Sequence, residues 1–80
     1  MAQITFKTMP VITSSADHEG VLMLADEQLL GVLVRLDARE HGRLRGSWFL
    51  EAGFGPCSST VPQTFPDLDG VEAWAHSRLS

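Results

Sequence analysis

Apolar and polar residues alternate at the start of the chain: along Gln3-Ile4-Thr5-Phe6-Lys7-Thr8, Ile4 and Phe6 fall on one side and Thr5 and Lys7 on the other. A period of two, carried by β-branched and aromatic residues, predicts a strand over 3–8. Pro10 ends it, because proline has no amide to give to a ladder. The stretch 13–20 (TSSADHEG) is small, polar and acidic, which predicts a mobile loop. Two apolar runs follow, over 20–25 (GVLMLA) and 28–36 (QLLGVLVRL), with only Asp26-Glu27 between them. That spacing predicts a β-hairpin. Asp-Glu lacks the glycine of a tight type I′ turn, so a turn wider than two residues is expected. A further strand is predicted over 44–52 (LRGSWFLEA), joined to the preceding one by the polar connection 37–43. Sequential strands with short connections form an antiparallel meander.

The period changes near the end of the chain. After Gly53-Phe54-Gly55-Pro56 and a turn-rich loop over 57–64, Leu68, Val71, Trp74, Ala75 and Leu79 recur at helical spacing. They predict a helix over 67–79 with one apolar stripe. Asp67 can cap its first amides, and Asp69 with Glu72 offers a capping box as an alternative start. The fold class expected is α+β: an antiparallel meander of three to four strands with one C-terminal helix packed on one sheet face, as a single domain over 1–80.

The strand faces carry more information than the strand positions. Strict alternation puts Leu30, Val32, Val34 and Leu36 on one face of the third strand and Leu29, Gly31, Leu33 and Arg35 on the other. In the next strand it groups Leu44, Gly46, Trp48, Leu50 and Ala52 against Arg45, Ser47, Phe49 and Glu51. One face therefore reads as core. The second is half apolar, with Leu29, Leu33 and Phe49 set among polar residues. A single helix covers one face of such a sheet and not both. Either the N-terminal segment or the 56–65 loop lies over the second face, or the sheet curls around it, or a second copy of the chain covers it.

Size sharpens that choice. Eighty residues with one cysteine form no internal disulfide, and at this length core burial only about offsets conformational entropy. The 44% hydrophobic and 20% charged fractions are those of an ordinary globule. No apolar run approaches the ~20 residues of a membrane span, and the N-terminus has no secretion-signal pattern. A cytoplasmic location is expected, and the arginine-over-lysine bias suggests a bacterial source.

Chemistry is sparse. Cys57 has no second cysteine nearby and no protease signature, so it reads as an incidental thiol. Glu72 and His76 stand four apart on the helix, yet no His-x-x-x-His, cysteine pair or calcium loop accompanies them. Gly53-Phe54-Gly55-Pro56 lacks the lysine and hydroxyl of a phosphate loop. No catalytic residue, metal site or cofactor is predicted. Arg35, Arg39, Arg43 and Arg45 supply four of the six basic residues, giving 35–45 a balance of +2 inside a chain of net −4. They form a basic hairpin end, either solvated with local arginine–carboxylate pairs or suited to an acidic partner; nucleic acid is disfavoured by the acidic remainder and by the absence of interleaved aromatics.

The expectation is a small non-enzymatic interaction module. It pairs with itself as a homodimer through a half-apolar sheet face or an edge strand, its surface drawn from Leu29, Leu33, Arg35, Arg39, Arg43, Arg45 and Phe49. One alternative is a ligand-binding or catalytic pocket between helix and sheet, rimmed by Trp48, Cys57, Trp74 and His76. The other is nucleic-acid binding through the arginine-rich hairpin.

Overall fold

The fold was obtained as a computed structural model describing residues 3–12, 19–36, 42–43, 45–59 and 61–79. Five strands form one antiparallel sheet in sequential order: β1 (Ile4–Thr8), β2 (Gly20–Ala25), β3 (Gln28–Arg35), β4 (Trp48–Gly53) and β5 (Thr64–Phe65). A 3₁₀ turn over Gly55–Cys57 follows β4, and one helix, α1 (Leu68–Leu79), ends the chain. The expected α+β meander is the architecture found. The additional strand is β5, a two-residue segment paired with Trp48 and Phe49, too short to leave a periodic pattern. Among the described residues no helix is long and apolar enough to cross a membrane. The predicted acidic loop lies mostly outside the described residues, as do residues 37–41 and 44.

The β2–β3 connection is tighter than its composition suggests. Ala25 pairs with Gln28, leaving a two-residue turn in which Asp26 has φ 51° and Glu27 φ 70°. Both central residues are left-handed, as a type I′ turn requires. The Asp26 carboxylate repays part of that strain by accepting the Gln3 amide at 3.0 Å, while the Asp26 amide donates to the Gln3 carbonyl at 3.0 Å. β4 begins four residues later than predicted. Arg45 closes a turn onto the Gly42 carbonyl, and Gly46 takes φ +90°, so the extended run starts only at Trp48.

Two irregularities reassign the faces. In the β2–β3 ladder, Met23 pairs with Gly31 and Leu24 with Leu29, which leaves Leu30 as an extra residue. In the β3–β4 ladder, Val32 pairs with Ala52 and Leu33 with Leu50, which leaves Glu51 extra. Each bulge breaks the alternation by one residue. Leu33 consequently joins Val21 and Leu50 on the helix side, while Val34 pairs with Phe49 on the other. The apolar quartet Leu30, Val32, Val34 and Leu36 is therefore split, and the helix lies on the face of Leu33.

That side is the core. Val21, Met23, Leu33, Cys57, Val71 and Ala75 are all at most 1% exposed and cluster with Leu30, Trp48, Leu50 and Phe65. α1 is started by Asp67, whose carboxylate accepts the Gly70 amide at 2.8 Å. This is N-cap geometry, and it decides between the two possible starts. Trp74 meets Phe65 with ring centroids 5.3 Å apart, so Phe65 on the short β5 supplies the ring contact between helix and sheet.

Candidate interaction surface

The side of the sheet away from α1 follows from the register. Thr5 pairs with Leu24 and Lys7 with Leu22, Leu22 with Val32, Val32 with Ala52, and Phe49 with Thr64. Residues directly opposite share a face. This side thus carries Thr5, Lys7, Leu22, Leu24, Val32, Val34, Phe49, Ala52 and Thr64. Of its large apolar residues, Leu22, Leu24, Val32 and Phe49 remain half-buried, and Leu29 beside them is 44% exposed.

Cover by the N-terminal segment reaches only one end of this face. The Met9 amide donates to the Gly20 carbonyl at 2.9 Å. A Cβ on Gly20 would stand 2.5 Å from the Met9 carbonyl oxygen and 2.8 Å from a Val11 methyl. Segment 9–12 is therefore seated on Gly20, whose ladder partner Val34 is 3% exposed. Leu22, Leu24, Val32 and Phe49 remain partly exposed. The other segment considered, 56–65, borders β4: Phe49–Gly53 with Ser59, Val61 and Pro62 line a cleft of about 210 Å³.

Of the residues expected on the interaction surface, Phe49 and Leu29 lie on this open side. Leu33 does not: it is fully buried under α1, because the extra residue Leu30 in β3 puts Leu29 and Leu33 on opposite faces. Arg35, Arg43 and Arg45 are exposed at the β3–β4 connection, and Arg35 forms an ion pair with Glu19 at 3.2 Å. Arg39 lies outside the described residues. Leu22, Leu24 and Val32 were missed as surface residues. Their signal was present in the sequence, since both faces of the 20–25 and 28–36 runs are apolar.

Three of the four residues expected at a pocket rim, Trp48, Cys57 and Trp74, lie in or against the core cluster. Cys57 is fully buried and Trp48 nearly so, while Trp74 and His76 are half-buried on α1. Two surface clefts among the described residues, the one along β4 and one of about 380 Å³ between Thr8–Pro10 and Glu19–Gly20, are lined by none of the four.

What surrounds Cys57 is a structural lock. A Cβ on Gly53 would fall 2.1 Å from the Cys57 carbonyl oxygen, so the 3₁₀ turn rests directly on the backbone of β4. Gly55 provides the left-handed φ of +57° that lets the chain fold back. Arg78 fastens the turn from the helix: its Nε donates to the Pro56 carbonyl at 3.1 Å, and its guanidinium lies 5.5 Å from the Trp74 ring centroid. Burial pushes the Cys57 thiol above its ordinary pKa, and the nearby Arg78 charge offsets this only in part. A buried thiol held in its protonated form is a poor nucleophile.

Metal-binding side chains do not converge: among the described residues no group of three or more His, Cys, Asp or Glu side chains could hold an ion. Glu72 and His76 approach to 3.8 Å as a partly exposed i,i+4 pair. No family model matches the chain, and no curated protein or solved structure matches it either.

Proposed function

We propose that the protein is a small non-enzymatic interaction module that associates with itself through the helix-free face of its sheet. The supporting observation is the open patch of Leu22, Leu24, Val32 and Phe49 beside exposed Leu29. Contiguous apolar surface rimmed by polar residues is costly in water and marks a contact site. The occupant favoured is a second copy, because a chain this small gains most from sharing surface.

Two such faces pack as aligned sheets about 10 Å apart. Five strands ~4.8 Å apart and about five residues long span roughly 20 by 17 Å. Side-chain relief raises the accessible area above that flat figure, toward the lower end of specific interfaces, at about 1,200 Å² in total. The expected dimer is therefore moderate in affinity and concentration-dependent.

Gel filtration with light scattering tests the reading. Phe49→Lys places a charge in the centre of the patch and is expected to weaken association at least about tenfold. Ala73→Lys alters an exposed residue of α1, on the other side of the sheet, and leaves association unchanged. Equal association of wild type and Phe49→Lys would remove the face from consideration.

A further inference from the structure

β1 is an edge strand: among the described residues it has β2 on one side and no strand on the other. Its hydrogen-bonding parity is fixed at both ends. The Asp26 amide donates to the Gln3 carbonyl, and the Met9 amide donates to the Gly20 carbonyl. Odd-numbered residues of β1 thus turn their amides and carbonyls toward β2, while Ile4, Phe6 and Thr8 turn theirs to the open edge.

Three outward residues, evenly spaced and centred on Phe6, make this edge self-complementary. In an antiparallel pairing with Phe6 opposite the partner's Phe6, Ile4 stands opposite the partner's Thr8, and Thr8 opposite the partner's Ile4. Each of these pairs exchanges two hydrogen bonds, and no outward group of either strand is left over. A shift by two residues would leave Thr8 of both strands, or in the other direction Ile4 of both strands, without a partner within β1.

The side chains favour the same register. Ile4 and Phe6 are partly buried and pack against the core cluster, so the pairing brings two phenyl rings together on the helix side and joins one core to the next. On the helix-free side Lys7 faces the partner's Thr5, so the only charge of the strand meets no like charge across the ladder.

We infer that β1 is a second self-association surface, at which two copies join antiparallel about Phe6 into one ten-stranded sheet. This rests on the proposed self-association but uses a different surface from the helix-free face. The edge dyad runs along the sheet normal and the face dyad lies in the sheet plane; with the face dyad running across the strands so that it meets the edge dyad, the two together build a closed tetramer of perpendicular two-fold axes.

Sedimentation of a set of variants tests it. Thr8→Pro removes an outward amide and no bond to β2, and proline is accommodated at such an edge position. Wild type is expected to reach a tetramer with rising concentration. Thr8→Pro stops at the face-packed dimer, Phe49→Lys stops at the edge-paired dimer, and the double variant is an 8.8 kDa monomer. Amide exchange in the wild-type protein gives a second readout: the Phe6 amide becomes protected as concentration rises. A Thr8→Pro chain that still reaches the tetramer, or a Phe6 amide indifferent to concentration, overturns the edge pairing and leaves the face reading standing. A wild type that stays monomeric overturns both.

Discussion

The two faces of the sheet are built from the same kinds of residue and end in opposite states. On one side Val21, Met23 and Leu33 are at most 1% exposed beneath α1. On the other, Leu22, Leu24 and Val32, their immediate neighbours in sequence, remain half open. Side-chain chemistry does not separate the two sets. What separates them is that, among the described residues, the 12-residue helix and the Gly55–Cys57 turn pack on the first set, while segment 9–12 reaches only the Gly20–Val34 end of the second. The finished face accounts for the fold, and the unfinished one suggests the use.

The largest effect expected from breaking this contrast comes from adjacent residues on opposite faces. Leu33→Ala empties a fully buried site and should cost about 2–5 kcal/mol, a large share of the stability of a small domain. Val32→Ala, one position away, should cost under about 1.5 kcal/mol at a concentration where the chain is monomeric. Urea unfolding of both variants checks the pair; equal losses would mean that the two faces are equally packed.

Next in size is Gly53→Ala, which drives a methyl group into the Cys57 carbonyl and should cost about 1–3 kcal/mol. Loss of the Cys57 environment, followed by thiol accessibility, would accompany it. Cys57 itself gives a smaller effect with a definite sign. Its folded pKa is raised by burial, so above the ordinary thiol pKa the unfolded chain loses a proton that the folded chain keeps. Stability is therefore constant below that pH and falls as pH rises through it. Cys57→Ala should remove this alkaline component from a series of unfolding curves, and alkylation of the native thiol should be slow.

Smallest is Glu27→Gly. It relieves a left-handed φ of 70° away from both faces and should raise the unfolding free energy by about 0.5–1 kcal/mol. Association should be unchanged, which makes the variant a stable background for comparing the two faces.

How far the sequence disclosed this arrangement depended on whether the signal was local. β1, β2, β3 and α1 follow from alternation and from the Leu68, Val71, Ala75 stripe, and their bounds shift by a residue or so at most. The faces were not legible in the same way. Leu30 and Glu51 each occupy a bulge, and a bulge depends on pairing with another strand, which parity within one strand cannot register. That is why Leu33 read as surface and Val32 as core. The tight Asp26–Glu27 turn was hidden for another reason: no glycine announces it, and it is secured by Gln3, distant in sequence. Of the candidate surface, Phe49 and Leu29 are visible from polarity alone, whereas Leu22, Leu24 and Val32 sit in runs that are apolar on both faces and take their side of the sheet only from the register.

The central claim is that the helix-free face is covered by a second copy in solution. Sedimentation equilibrium of the wild-type chain from about 10 to about 500 µM spans the range where a moderate interface of this kind is populated. The prediction is a mass rising from the 8.8 kDa monomer to a dimer or beyond, with the rise reduced in Phe49→Lys. A single 8.8 kDa species at every concentration would contradict it.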